Sequence, residues 1–116
     1  MDLKTKLLTS GRVEELTVQV AGEETRVYFR RMNGIERDVF LSEQRPKAEL
    51  PDYRQLGSLQ RLLLALTLCD EIGTRLFSDG TDVGVMDSKL IDTLSAEAAR
   101  INGFSKSGEE DAKKNS

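Results

Sequence analysis

Two runs of alternating apolar and polar residues near the start of the chain place the strongest constraint on its fold. Leu16, Val18 and Val20 share one face of the first run, and Val27 and Phe29 share one face of the second. The glycine-containing segment 21–24 separates the runs. A period of two residues on both sides of a turn predicts a β-hairpin. Because an isolated hairpin is only marginally stable in water, it must pack on the rest of the chain.

The residues after the hairpin change to the spacing of helices. Asn33 is a favourable N-cap, and Glu36 three residues later suits the positive end of a helix. These residues predict a short helix over 34–43, which ends before Pro46 because proline disfavours helical geometry in the residue before it.

A leucine-rich run predicts the strongest helix, over 55–68. This run is apolar nearly all round, so we expect burial on several sides, including burial against another subunit. A last helix begins after Asp87 or Ser88 and extends to about residue 102. Gly103 is well placed to end it, because glycine readily adopts the left-handed conformation found at the C-terminal ends of helices.

These elements predict an α+β protein with an N-terminal β-hairpin packed on a mainly α-helical body of three to four helices. We expect a single domain over 1–104, with the polar segment 46–52 as an internal hinge. Residues 105–116 contain no large apolar side chain, which predicts a disordered polar tail.

The composition excludes most enzyme and metal chemistry. The 116 residues contain no His and one Cys, Cys69, which removes the commonest general base and any cysteine-based zinc site. Asp79, Asp82 and Asp87 lack the spacing of a calcium loop and are better explained as turn and cap residues. We therefore expect no enzymatic activity, cofactor or metal. Since the longest apolar run is short, we also expect no secretion signal and no membrane span.

Basic residues cluster around the predicted hairpin and form a candidate surface for an acidic partner or nucleic acid. The alternative is an ordinary solvated strand face. The net charge of −3 makes nucleic acid an unexpected partner. The cluster consists of Arg12, Arg26, Arg30 and Arg31.

Three collinear stretches carry a family resemblance: MNGIERDVFL at 32–41, LTLCDEIGTRLFSD at 66–79 and AEAARINGF at 96–104. In this order, after a β-rich start, they resemble the tail assembly chaperones of long-tailed, siphovirus-type bacteriophages and prophages. None of the three is a catalytic signature.

The resemblance implies a protein that binds the long, hydrophobic tape measure protein and keeps it soluble while tail tube subunits polymerise around it. It implies a homo-oligomer in the bacterial host cytoplasm that is absent from the mature virion. It also implies a longer product of a −1 ribosomal frameshift, whose added domain recruits the tail tube protein. Lys114 and Asn115 permit the slippery codons A-AAA-AAC.

Such a chaperone needs an apolar surface for its client, and the two predicted helices are the candidates. The alternative for each residue is that it belongs to the core. A different morphogenesis role, as a head–tail connector or tail terminator subunit, and a small nucleic-acid-binding regulator are the competing functions. The candidate partner-binding residues are Ile35, Val39, Phe40, Leu56, Leu59, Leu62, Leu63 and Leu66.

Overall fold

In the part of the chain that the structure describes, a three-stranded antiparallel sheet and five helices form an α+β fold. The computed structural model describes residues 2–8, 11, 13–44 and 52–104. Arg12, most of the predicted hinge and the predicted tail over 105–116 lie outside these described residues. The elements in chain order are α1 (Leu3–Leu8), β1 (Val13–Val20), β2 (Glu23–Arg30), α2 (Gly34–Glu43), α3 (Asp52–Thr67), β3 (Leu68–Cys69), α4 (Gly80–Val83) and α5 (Ser88–Ile101).

The predicted hairpin is confirmed, with a tighter turn than the sequence indicates. Leu16 lies opposite Val27 in the antiparallel register of β1 and β2. Only Ala21 and Gly22 form the turn, and both have positive φ angles, 53° and 81°. Two such residues make a type I′ turn, whose twist matches that of the flanking strands. The inward face carries Phe29, which is fully buried.

Strand β3 was not predicted. Its two residues, Leu68 and Cys69, pair with Phe29 and Tyr28 of β2. The helical prediction ran through Leu68, whereas α3 ends at Thr67 and the chain passes directly into β3. Two residues are too few to show the two-residue period of a strand. The sequence therefore does not indicate where the helix ends and β3 begins.

The predicted ends of α2 and α5 are confirmed by their caps. The Glu36 amide donates to the Asn33 side chain at 2.8 Å, and the Asn33 amide donates to Glu36 at 3.0 Å, which completes a capping box. Asp87 accepts hydrogen bonds from the first backbone amides of α5. Gly103 has a φ of 80° immediately after that helix.

Helix α3 is the centre of the core, and its burial is achieved within one chain. Leu63, Leu64, Ala65 and Leu66 are all buried. Helices α2, α4 and α5 contact α3, and Phe29 joins the same apolar cluster from the sheet. Burial of these four residues therefore needs no second subunit, and contact of this helix with another copy stays a prediction.

We expect Leu64→Ala to lower the free energy of unfolding by about 2–5 kcal/mol, because it leaves a cavity in the core. Leu56→Ala on the same helix is the matched control, since Leu56 is 60% exposed and Leu64 is fully buried. It should change stability by about 0.5 kcal/mol or less. Urea unfolding followed by circular dichroism measures both. Equal losses would contradict the assignment of the buried face.

Candidate binding surfaces

The described arginines of the predicted basic surface are paired with carboxylates. Arg26 lies 3.3 Å from Glu15, and Arg31 lies 3.5 Å from Glu14. Arg30 forms an ion pair with Glu36. Each of these three residues therefore has a carboxylate partner, and their role as a basic partner surface stays a prediction. Arg12 lies outside the described part of the chain.

Arg30 has a structural role that its place in a strand does not reveal. Its Nε donates to the carbonyl oxygen of Leu66 at 3.0 Å. The last carbonyls of a helix have no partner within the helix, so this bond caps the buried end of α3. The same guanidinium group donates to Glu36, the capping-box residue of α2. One side chain thus joins β2, α2 and α3.

The predicted partner-binding residues divide into three groups by exposure. Three of them lie in the core, which is the alternative given above for each residue. Two are partly buried and pack against the core. Three remain exposed large apolar side chains. The core residues are Phe40, Leu63 and Leu66. The partly buried residues are Leu59 and Leu62. The exposed residues are Ile35, Val39 and Leu56.

The structure brings some of these residues together in two shallow grooves. Leu56 and Leu59 line a groove of about 260 Å³ that also contains Phe40, Leu63 and Phe104. Val39 and Leu62 line a second groove, about 400 Å³ in volume, which is more polar because Glu43, Arg61 and Thr81 also face it. Ile35 lines neither groove, so the predicted surface is not one continuous face.

A third groove, which is mainly apolar and which the sequence did not predict, lies between the sheet and α5. This sheet–α5 groove has a volume of about 390 Å³ and walls from four separate segments of the chain. The walls come from the β1–β2 hairpin, from β3 with the two residues after it, from residues 76–77, and from Met86 with helix α5. The apolar residues include Val27, Leu68, Leu76, Phe77, Leu90 and Leu94.

Charged residues also line the sheet–α5 groove. Arg26 comes from β2, and Asp70 and Glu71 follow β3. Asp70 accepts hydrogen bonds from the amides of Ile72 and Thr74, at 3.0 and 2.9 Å, which fixes the turn after the strand. Apolar walls with a few charged groups suit a peptide segment that is mainly hydrophobic.

One sequence signal could have indicated this groove. Apolar residues continue at every second position of the hairpin as far as its turn. The end of the hairpin nearest the turn therefore extends past the core and has an apolar face that the core does not cover. Val18 packs against the core cluster, whereas Val20 and Thr25, nearer the turn, line the groove. The opposite wall could not be placed, because the loop that carries Leu76 has no regular period.

The groove borders the single cysteine of the chain, and two of the aspartates that were weighed as calcium ligands cap helices elsewhere. Cys69 lies in its wall but is only 1% exposed, and burial raises the pKa of the thiol. Asp79 and Asp87 are helix N-caps, as expected. Over the described ranges, no three His, Cys, Asp or Glu side chains are grouped to hold a metal ion.

The described helices include none with the length and apolar character that crossing a membrane requires. The sequence matches no protein-family profile, and neither the curated proteins nor the solved structures contain a significant match.

We expect Arg30→Gln to lower the free energy of unfolding by about 1–3 kcal/mol, because it leaves Leu66 and Glu36 without their charged donor. Arg26→Gln should cost less than about 1 kcal/mol, since its ion pair is exposed. Urea unfolding of the two variants checks this difference. Equal effects would contradict the capping role of Arg30.

Proposed function

We propose that this protein is a phage tail assembly chaperone that binds the tape measure protein and helps recruit tail tube subunits during tail morphogenesis. The observation that carries the proposal is the sheet–α5 groove, which is an open apolar surface. The described residues around it do not form a recognisable set of catalytic side chains. Its role is binding, without bond chemistry.

The groove has the properties that an apolar client segment needs. Leu76 is 57% exposed at its wall, and Leu90 is partly buried on α5. A groove between a strand and a helix accommodates an extended or a helical segment. The exposed apolar residues of α2 and α3 add a second contact area, which suits a long client that is bound at several points.

The three stretches that carry the family resemblance are neighbours in the fold, which supports treating them as one signature. Asn102 accepts a hydrogen bond from the Met32 amide at 2.9 Å, and the rings of Phe40 and Phe104 lie 5.3 Å apart. These contacts join stretch 32–41 to stretch 96–104. Arg30, just before stretch 32–41, connects this stretch to stretch 66–79, because its guanidinium donates to both Glu36 and the carbonyl oxygen of Leu66.

The proposal includes the wider role of the family. The chain acts in the host cytoplasm and leaves before the virion is complete, and a longer product of a −1 frameshift brings the tail tube protein.

The nucleotide sequence across codons 112–116 tests the frameshift. We expect A-AAA-AAC followed by an open −1 frame, and a non-slippery sequence would contradict this part. Recovery of the chain from purified virions would instead favour a connector or terminator subunit.

We expect Leu76→Asp to reduce the soluble yield of a co-expressed tape measure protein several-fold, because it places a charge in the wall of the sheet–α5 groove. The yield is measured by centrifugation and by co-purification with a tagged chaperone. Circular dichroism of the purified variant checks that its fold is unchanged.

Ile72→Asp is the matched control for this experiment. Ile72 lies four residues earlier in the same loop and is 85% exposed, and it is outside the groove lining. It should leave the client soluble. A client that is insoluble even with the unaltered chain would overturn the proposed function, and equal losses with both variants would exclude this groove as the binding site.

A further inference from the structure

The N-terminal helix α1 carries large apolar side chains that stay exposed. None of its six residues is buried. Leu3 is 71% exposed, Leu7 is 66% exposed and Leu8 is 76% exposed. A helix this short is only marginally stable in water by itself, because its first turn fixes several residues for one hydrogen bond. An apolar surface that buries these leucines would stabilise the helix and remove apolar area from water.

The leucines and lysines of α1 have the arrangement of an amphipathic helix. Successive residues are about 100° apart around the helix axis, so Leu3 and Leu7 lie on the same face. Lys4 and Lys6 lie on the two flanks of that face. Leu8 lies about 140° from Leu3, away from the shared face. The helix therefore presents an apolar stripe between two positive charges.

The sheet–α5 groove has the complementary properties. Its walls are mainly apolar, and Asp70 and Glu71 add two carboxylates. Among the described residues, neither carboxylate forms an ion pair with a Lys or Arg side chain. Arg26 also lines the groove, but its charge is compensated by Glu15 at 3.3 Å. The groove thus combines an apolar surface with negative charge, which suits an apolar helix that carries lysines.

Helix α1 does not occupy this groove within its own chain. No described residue of α1 lines the groove, and Leu76 in the groove wall stays 57% exposed. The single chain therefore exposes both an amphipathic helix and a groove of matching chemistry. Two copies satisfy both surfaces at once if each donates its helix to the other, and exchange of the same element between copies gives a closed, two-fold dimer.

We propose that two copies of this chain exchange their N-terminal helices, so that α1 of each copy lies in the sheet–α5 groove of the other. Leu3 and Leu7 face the apolar walls, and a flanking lysine lies beside Asp70 and Glu71. The dimer does not depend on the identity of any client. A client segment that binds the same groove competes with α1, and this competition alone rests on the proposed function.

Substitutions on the two sides of the contact test the exchange. Leu3→Asp places a charge on the docking face of α1, and Leu76→Asp places a charge in the groove wall. Each variant should dimerise about tenfold more weakly than the unaltered chain, because both contacts of its homodimer are impaired. An equimolar mixture should recover part of this loss, since the intact α1 of one variant meets the intact groove of the other. Sedimentation equilibrium measures all three samples, and circular dichroism checks that each variant is folded.

Leu8→Asp and Ile72→Asp are the matched controls. Leu8 lies away from the docking face of α1, Ile72 lies outside the groove lining, and both are highly exposed. Each control should dimerise like the unaltered chain.

The proposal is overturned if the unaltered chain is monomeric at every accessible concentration. It is also overturned if the mixture stays as weak as its components, which is the result expected when α1 docks on its own chain or at another surface. No client is present in these measurements, so failure here is distinct from failure of the proposed function.

Discussion

The side chain of Arg30 connects the elements on which the rest of the structure depends. It donates to the Leu66 carbonyl at the buried end of α3 and to Glu36 at the start of α2. Arg75 donates to the adjacent carbonyl, that of Ala65, at 2.8 Å. A buried helix end without such donors would leave carbonyl groups unsatisfied at a cost of about 1–3 kcal/mol each. Two arginines from outside the helix therefore make its burial possible.

This capped helix end determines the shape of the sheet. Because the carbonyls of Ala65 and Leu66 are satisfied by side chains, the chain can leave α3 inside the core and pair at once with β2. It then turns away after two residues, since Asp70 holds the next turn. A third strand this short covers only part of β2. The sheet–α5 groove is a consequence of that early turn.

The sequence predicts elements that its local pattern specifies, and it does not predict contacts between distant segments. The hairpin, α2 and α5 follow from alternation and caps such as Asn33 with Glu36, which act within a few residues. Arg30 was assigned to a basic surface because its partners lie 6 and 36 residues away. For the same reason, leucine spacing in α3 could not separate the core residue Leu63 from the exposed Leu56. The sheet–α5 groove combines four segments, and no local pattern contains it.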